Sequence, residues 1–314
     1  MTETNTNLPT TSELEHKDVA EQAIISVPQY RRDLFPKNIV LSAKDLSEFC
    51  ELLTEANERA KQFQIENTNV ENFKSAEDLK ERIDELMPIQ HSYTALSGDH
   101  IEGIGIPKTD ERLFPEELTT FFASNAVYAK NAVNQSPANT VDAFLDFQKP
   151  TLKIDLLTLP SNPTENKSVI NVSGRSEDWV ISTTNRIQGF LNKKQAFRPV
   201  IHGSGTYDYF IFLAFLPAVV WLFYRKGTGI SAWLENQTVF FNVFLAIYVL
   251  LLSLLAARFL FQYFRWLFPP MEYYKTSRIG AYIHRSVAGL IGSAFLLSAG
   301  YDFTKTAIAW LAAP

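Results

Sequence analysis

The sequence predicts a soluble α+β domain, an antiparallel sheet with flanking helices, followed by a C-terminal α-helical transmembrane module of two or three helices. Two uncharged apolar runs, 209–224 and 236–257, predict the membrane module. A helix needs roughly 20 mostly apolar residues to cross a bilayer core of about 30 Å, and the second run reaches that length. Before residue 195 the spacing of apolar residues is helical, then alternating, then helical again. This order is typical of an α+β domain.

Charge divides the chain at the same place. The whole chain carries a net charge of -5, yet the segment from Thr206 onward has eight Lys/Arg against four Asp/Glu. The preceding residues are therefore strongly acidic. An acidic domain joined to a basic, apolar segment is typical of a water-exposed domain attached to a membrane anchor. We expect no nucleic-acid partner, because phosphate binding needs clustered Lys and Arg.

The N-terminal residues 1–30 predict a disordered tail. They are rich in Thr, Asn and Glu, and they lack the basic start and apolar core of a cleavable signal. The cytosolic α+β domain is predicted at 31–195, and a linker at 196–206. The single cysteine, Cys50, lies on an apolar helical face, which indicates a buried side chain.

The first half of the domain predicts one strand and two helices. The strand is 39–41. Ser42 three residues before Asp45 predicts a capping box, and Ser75 before Asp78 predicts a second helix start. Apolar residues at three- and four-residue steps form one face on each helix: Leu46, Phe49, Leu53, Ala56, Ala60 and Phe63 on the first, and Leu79, Ile83, Leu86 and Met87 on the second.

A β-hairpin is predicted next. Gly98-Asp99 lies between two β-prone stretches and predicts a two-residue loop. That register puts His91 opposite residue 106 and His100 beside Ser97, so the two histidines do not face one another.

Further strands and a closing helix complete the predicted domain. The strands are 118–126, 141–147, 152–157 and 168–173, separated by turn-rich stretches. The helix runs from Ser176, its predicted N-cap, to Lys193. Trp179 is expected to anchor this helix to the sheet.

The transmembrane module is predicted at 207–314, with helices at about 207–224, 237–265 and 279–311. Asp302 and Lys305 interrupt the last apolar segment, three positions apart on one helix face. The segment is a third span or a re-entrant or interfacial helix. The polar pair either lines a path at membrane depth or reaches towards the interface.

Basic residues near the spans predict the orientation. Positively charged flanks stay inside, so the acidic domain is predicted to be cytosolic. We expect the membrane to be a bacterial inner membrane. The inside flanks carry Lys193, Lys194, Arg198, Arg258, Arg265, Lys275, Arg278 and Arg285, whereas the intervening loop carries Arg225 and Lys226.

Two weaker site candidates follow from local patterns. Arg175 and Ser176 precede a helix, where an anion can bind, although Ser176 also explains the pattern as a cap. In the last segment, small residues allow close helix approach, within the chain or between copies as a homo-oligomer: Ala288, Gly289, Gly292 and Ser293.

Three functional hypotheses remain, and no cofactor or metal site is predicted, because the histidines lack metal-site spacing. The leading one is a membrane-anchored, non-enzymatic binding, sensing or scaffold module for an unknown cytosolic protein or ligand. The alternative is an oligomeric channel or membrane-perturbing effector gated by the cytosolic domain. The third is a membrane-anchored enzyme, which requires distant residues to converge, such as His91, Asp99, Asp142 and Arg175.

Overall fold

The computed structural model describes residues 29–69, 73–105, 114–152, 161–196, 199–226, 234–235, 237–275 and 279–311. Its strands in chain order are β1 (Tyr30–Leu34), β2 (Ile39–Ser42), β3 (Gln90–Ala95), β4 (His100–Ile104), β5 (Leu118–Ser124), β6 (Asn139–Asp146), β7 (Val169–Gly174) and β8 (Met271–Tyr274). Six of them form a sheet in the order β1-β7-β6-β5-β3-β4, with every neighbouring pair antiparallel. The predicted antiparallel α+β domain is confirmed at this level.

The helices in chain order are α1 (Ala43–Glu66), α2 (Ala76–Leu86), α3 (Val127–Val133), α4 (Glu177–Lys193), α5 (Pro199–His202), α6 (Thr206–Tyr209), α7 (Leu216–Lys226), α8 (Val239–Leu267) and α9 (Ile279–Leu311). A π-helical stretch, Phe210–Phe215, joins α6 to α7. Among the described residues, α8 is the one helix that is long and apolar enough to cross a membrane. Its most apolar stretch is not buried by the rest of the protein. Thr206–Leu222 is a shorter apolar helix.

The helices α1 and α4 cover one face of the sheet and close the core. Phe49 of α1 packs edge-on against Phe121 of β5, with ring centroids 6.5 Å apart, and Ile187 of α4 is fully buried. Cys50 lies in the same core, as predicted, and burial raises the pKa of its thiol to about 12.

Helix starts in this domain follow the predicted capping residues. Ser42 accepts from the Asp45 backbone N–H, and the Asp45 carboxylate accepts from the Ser42 N–H, which confirms the capping box. Ser75 and Ser176 cap α2 and α4 by accepting from backbone N–H groups in the first turn. Each cap satisfies a donor that the helix itself leaves unpaired.

The hairpin is confirmed, but its loop and register differ from the prediction. Thr94 pairs with His100 and His91 pairs with Gly103, because the loop has three residues and not two. The Ala95 N–H donates to the Asp99 carbonyl, and Gly98 adopts a positive φ of 94°. A three-residue loop needs that left-handed conformation at its last position, which glycine adopts without strain.

Other predictions need correction or extension. The Trp179 indole donates to the Ala56 carbonyl at 3.1 Å, so it also ties α4 to α1, while its ring lies in the core cluster that includes sheet residues. The elements β1, α3 and β8 were not predicted. Most of the predicted strand 152–157, and the tail 1–28, lie outside the described residues.

Candidate functional site: the junction between the sheet domain and the apolar helices

A second, two-stranded sheet joins the N-terminal domain to the apolar segment. Strand β8 follows α8 after a short turn, and it pairs in parallel with β2 from Ile39↔Met271 to Ser42↔Tyr274. The Ile39 N–H also donates to the Pro270 carbonyl at 3.1 Å. Ordinary parallel connections cover a dozen or more residues, whereas this one encloses most of the chain.

The side chains of β8 belong to the core of the sheet domain. Met271 and Tyr273 are almost completely buried in the cluster that also holds Phe121 and Ile170. The Tyr273 ring packs on Phe147 at 5.8 Å, and its hydroxyl donates to the Pro115 carbonyl at 3.1 Å. The domain therefore completes its core with residues that come after α8.

Hydrogen bonds of Arg265 and His202 hold the end of α8 against the segment that leads into the first apolar helix. Arg265 donates to the carbonyls of Ile201 and Asn162, at 3.2 and 2.9 Å. His202 bonds the Phe268 carbonyl through Nε2 and the Thr164 hydroxyl through Nδ1. Since a carbonyl only accepts, Nε2 carries a proton, and in the neutral imidazole Nδ1 accepts from the threonine hydroxyl.

A buried ion pair ties α9 to the same place. One terminal nitrogen of Arg285 donates to both oxygens of Glu272 at 2.9 Å, and the guanidinium also donates to the Leu267 carbonyl at 3.0 and 3.1 Å. Glu272 is only 5% exposed. A carboxylate buried this deeply requires such a partner, because desolvation disfavours its charge.

All these contacts meet at one end of the six-stranded sheet, here called the junction end. Three connections at this end make contacts. The segment before β5 meets β8 and Lys275 through Phe114 and Pro115. The segment after β6, through Lys149, and the segment before β7, through Asn162 and Thr164, meet the helices. The Phe114 carbonyl accepts from Lys275 at 2.7 Å, and the Lys149 ammonium lies 4.5 Å from the Trp266 ring centroid. The junction end is defined by strand direction and does not depend on one contact.

The two apolar helices on either side of residues 227–238 pack against each other at this end. Tyr207 and Ile211 form a small buried cluster with Ala257 and Phe261, and the Tyr207 and Phe261 rings lie 5.3 Å apart. The beginning of one helix therefore lies beside the last turns of the other, which is an antiparallel arrangement.

Asp302 and Lys305 lie on α9, towards its far end. The Asp302 carboxylate accepts from the Trp221 indole N–H on α7 at 3.2 Å, and Lys305 is exposed. Their role as a membrane polar pair stays a prediction.

The small residues of α9 form an open face. A Cβ added at Gly289 or Gly292 would meet no described atom within 4 Å. Ala288 is half-buried, and Ser293 is exposed and donates to the Leu290 carbonyl of its own helix.

The weak anion-site candidate is occupied by capping interactions. The Ser176 hydroxyl accepts from the Trp179 N–H at 3.2 Å, and the Ser176 N–H donates to the Asn139 side chain. The Arg175 side chain is exposed, and its backbone N–H donates to the Ala138 carbonyl. Anion binding there stays a prediction.

The residues of the enzyme hypothesis do not converge. The register puts His91 on the helix-covered face of the sheet, whereas Asp142 lies on the opposite face. Asp99 follows β3 at the junction end, and Arg175 follows β7 at the other end. Burial lowers the pKa of His91, whose ring lies under Gly103. The described residues contain no group of three or more His, Cys, Asp or Glu that could hold a metal ion.

A surface pocket of about 330 Å³ lies beside the junction, between the loop that joins β1 to β2 and the last turns of α4. Its lining includes Phe35, Lys37, Asn38, Gln188 and Asn192. It contains none of the residues of the enzyme hypothesis.

Sequence reasoning used Arg265 and Arg285 only for orientation, and it missed His202 and Glu272. A signal was present, since charged residues flanking apolar runs demand partners. The sequence does not indicate that Met271–Tyr274, which follows two prolines, forms a strand of the N-terminal domain. No protein-family model, curated protein or solved structure matches this chain.

Proposed function

We propose that the chain is an integral protein of a bacterial inner membrane, whose cytosolic α+β domain is a non-enzymatic binding, sensing or scaffold module. The pairing of β2 with β8 is the observation that carries this proposal. It makes the domain and the ends of the apolar helices one packed unit, with a defined orientation at the membrane surface.

Strand pairing constrains the number of membrane crossings. Since β2 and β8 share one sheet, the chain between Ser42 and Met271 must return to the side from which it left. The number of crossings between them is therefore even. If α8 crosses, the helix formed by α6, the π-helical stretch and α7 supplies the second crossing. Its roughly 30 Å, at about 1.5 Å per residue, matches the bilayer core.

Contacts of α9 support a third crossing. Arg285 is held at the junction by Glu272 and the Leu267 carbonyl, whereas Asp302 reaches Trp221 on α7. The helix α9 thus leaves the junction and follows α7 towards the far side. An acidic group at the bilayer centre costs on the order of 2.5–3.5 kcal/mol in insertion, and the indole donor offsets part of the smaller cost nearer the far interface.

The sheet offers a surface for a cytosolic partner. The described helices α1 and α4 pack on one face, and the opposite face carries the cross-strand row Glu102, Ser92, Phe122, Phe144 and Val169. These side chains are half-buried, or exposed in the case of Glu102. A row of two polar and three apolar side chains, with two aromatic rings at its centre, is suited to recognition of a protein or ligand. The basic flanks of the spans support a cytosolic position for this face.

Substituted-cysteine labelling tests the topology. Native Cys50 is buried with a raised pKa, so it gives a low background. We expect a membrane-impermeant maleimide to label Glu235→Cys in intact cells. It should label Ile104→Cys, 64% exposed on β4, only after permeabilisation. Labelling of both sites in intact cells, or of neither site until the cells are permeabilised, would contradict two crossings between β2 and β8.

The second candidate function is an oligomeric channel, favoured by the open Gly289/Gly292 face and by Asp302 beside Trp221. It predicts ion flux across liposomes that contain the purified protein. We expect Asp302→Asn with Lys305→Gln to abolish this flux, whereas Asp33→Asn on the sheet domain leaves it unchanged. Flux that is absent, or that persists in the double variant, would reject the channel.

A further inference from the structure

Exposed apolar side chains of the sheet domain lie at both of its ends. The loop after β1 carries Phe35 and the loop after β3 carries Leu96, each 65% exposed, and the segment after β6 carries Leu152 at 44%. All three follow strands that run towards the junction end. The opposite end carries Ile104 and Val133.

Strand register fixes the position of Phe35 relative to the helices. Ile39 pairs with Met271 and donates to the Pro270 carbonyl, three residues after the last residue of α8. Phe35 is four residues earlier, so its backbone lies within about 14 Å of Ile39, given at most ~3.6 Å per residue. The loop therefore lies within that distance of the strand pair that directly follows α8.

Leu96 lies on the other side of the same end. Its N–H donates to the Glu117 carbonyl just before β5, and the next residues of that connection, Pro115 and Phe114, contact β8 and Lys275. Phe35 and Leu96 thus belong to opposite edges of the sheet, since β1 and β4 are its edge strands. Four strand spacings of about 4.8 Å separate β1 from β3.

We propose that the junction end is a membrane-contacting surface, and that Phe35 and Leu96 insert into the interfacial region of the bilayer on either side of the helices. This inference rests on the proposed membrane insertion of α8. An exposed apolar side chain in water is ordinary when it is isolated. Two such side chains, one at each corner of the end from which the apolar helices emerge, form a surface suited to contact with lipid. Interfacial burial of such side chains is favourable in proportion to apolar area.

The charged side chains at the junction end predict which lipids the membrane contact requires. Lys37, Lys149 and Lys275 lie there, but so do Glu116 and Glu117. The contact is therefore apolar in origin, and insertion is expected in zwitterionic phosphatidylcholine bilayers without anionic lipid.

Spin-label accessibility provides the test. Single cysteines replace Phe35, Leu96, Ile104 and Leu251, which have closely similar exposures of 65, 65, 64 and 60%. Each labelled full-length protein is reconstituted in phosphatidylcholine, and collision rates with oxygen and with an aqueous nickel chelate are compared. We expect the oxygen-to-nickel ratio at positions 35 and 96 to shift from the value at Ile104→Cys towards the value at Leu251→Cys.

The controls separate this inference from the proposed function. If Leu251→Cys reports the bilayer while position 35 or 96 matches Ile104→Cys, the membrane-contacting surface is rejected and the spanning helix stands. If Leu251→Cys itself is accessible to the nickel chelate, the membrane protein is rejected. Unmodified protein must take up no label, since its only cysteine is buried.

Discussion

The sheet domain is expected to lose much of its stability when a residue beyond α8 is truncated. In Tyr273→Ala the change removes a ring that is 1% exposed and contacts Phe147. Replacing a buried aromatic residue by alanine typically costs about 3–5 kcal/mol. Domains of ordinary stability have about 5–15 kcal/mol in total, so the loss is a large fraction of the whole.

Labelling of Cys50 by a thiol reagent measures this loss directly. Cys50 is in the same core and reacts only when that core opens. When opening and closing are fast relative to labelling, the rate follows the open population. At 1.4 kcal/mol per factor of ten, the expected acceleration is on the order of 10² to 10³-fold.

Two matched variants define the outcome. Tyr273→Phe keeps the ring and loses the 3.1 Å hydrogen bond to Pro115, so it should cost about 0.5–1.5 kcal/mol. Tyr248→Ala truncates a tyrosine that is 63% exposed on α8 and should leave the Cys50 rate unchanged. If Tyr273→Ala labels no faster than Tyr248→Ala, then β8 is not part of the domain core.

Three further predictions concern the same junction. A fragment ending at Lys194 lacks β8, so it should bind a hydrophobic dye and be degraded quickly by protease. Appending residues 269–275 through a flexible glycine-serine linker should restore protease resistance. A short fragment that is fully folded without β8 would contradict this. Arg285→Met alone should lower the unfolding temperature more than Arg285→Met with Glu272→Met, because the single change takes the guanidinium away from a buried carboxylate. The opposite order in detergent would refute it. Since burial holds the pKa of His91 below its ordinary 6.5, the unfolded chain binds the extra proton first, so stability should fall as pH decreases below about 6.5; His91→Gln should remove that part of the slope in urea titrations.

Local signals in the sequence were sufficient for elements whose stability is local. Ser42 with Asp45, and Ser176, marked helix starts because a cap acts within one turn. The hairpin was recognised from Gly98-Asp99, but its loop length was not, since a glycine at the third loop position gives a similar pattern. The edge strand β1 was missed because its exposed Arg31, Arg32 and Asp33 lack an alternating apolar face.

Long-range pairing limited the rest. Strand β8 has four residues, follows two prolines and lies between two apolar helices, so its pattern resembles a loop. Its partner β2 was predicted as a strand, but nothing near Ile39 indicates which segment pairs with it. The junction residues His202 and Glu272 were missed for the same reason, because their partners are distant in sequence or become visible only with β8 in place.

The β2–β8 pair also sets the order of events during synthesis. Met271 leaves the ribosome roughly 230 positions after Ile39, a delay on the order of tens of seconds at about 5–20 residues per second. Throughout that interval the nascent N-terminal domain has an open groove where Met271 and Tyr273 will be buried. Such distant contacts close slowly, so the sheet domain stays incomplete until α8 has been made. Completion of the domain core thereby becomes a report that α8 is synthesised and that its end has reached β2.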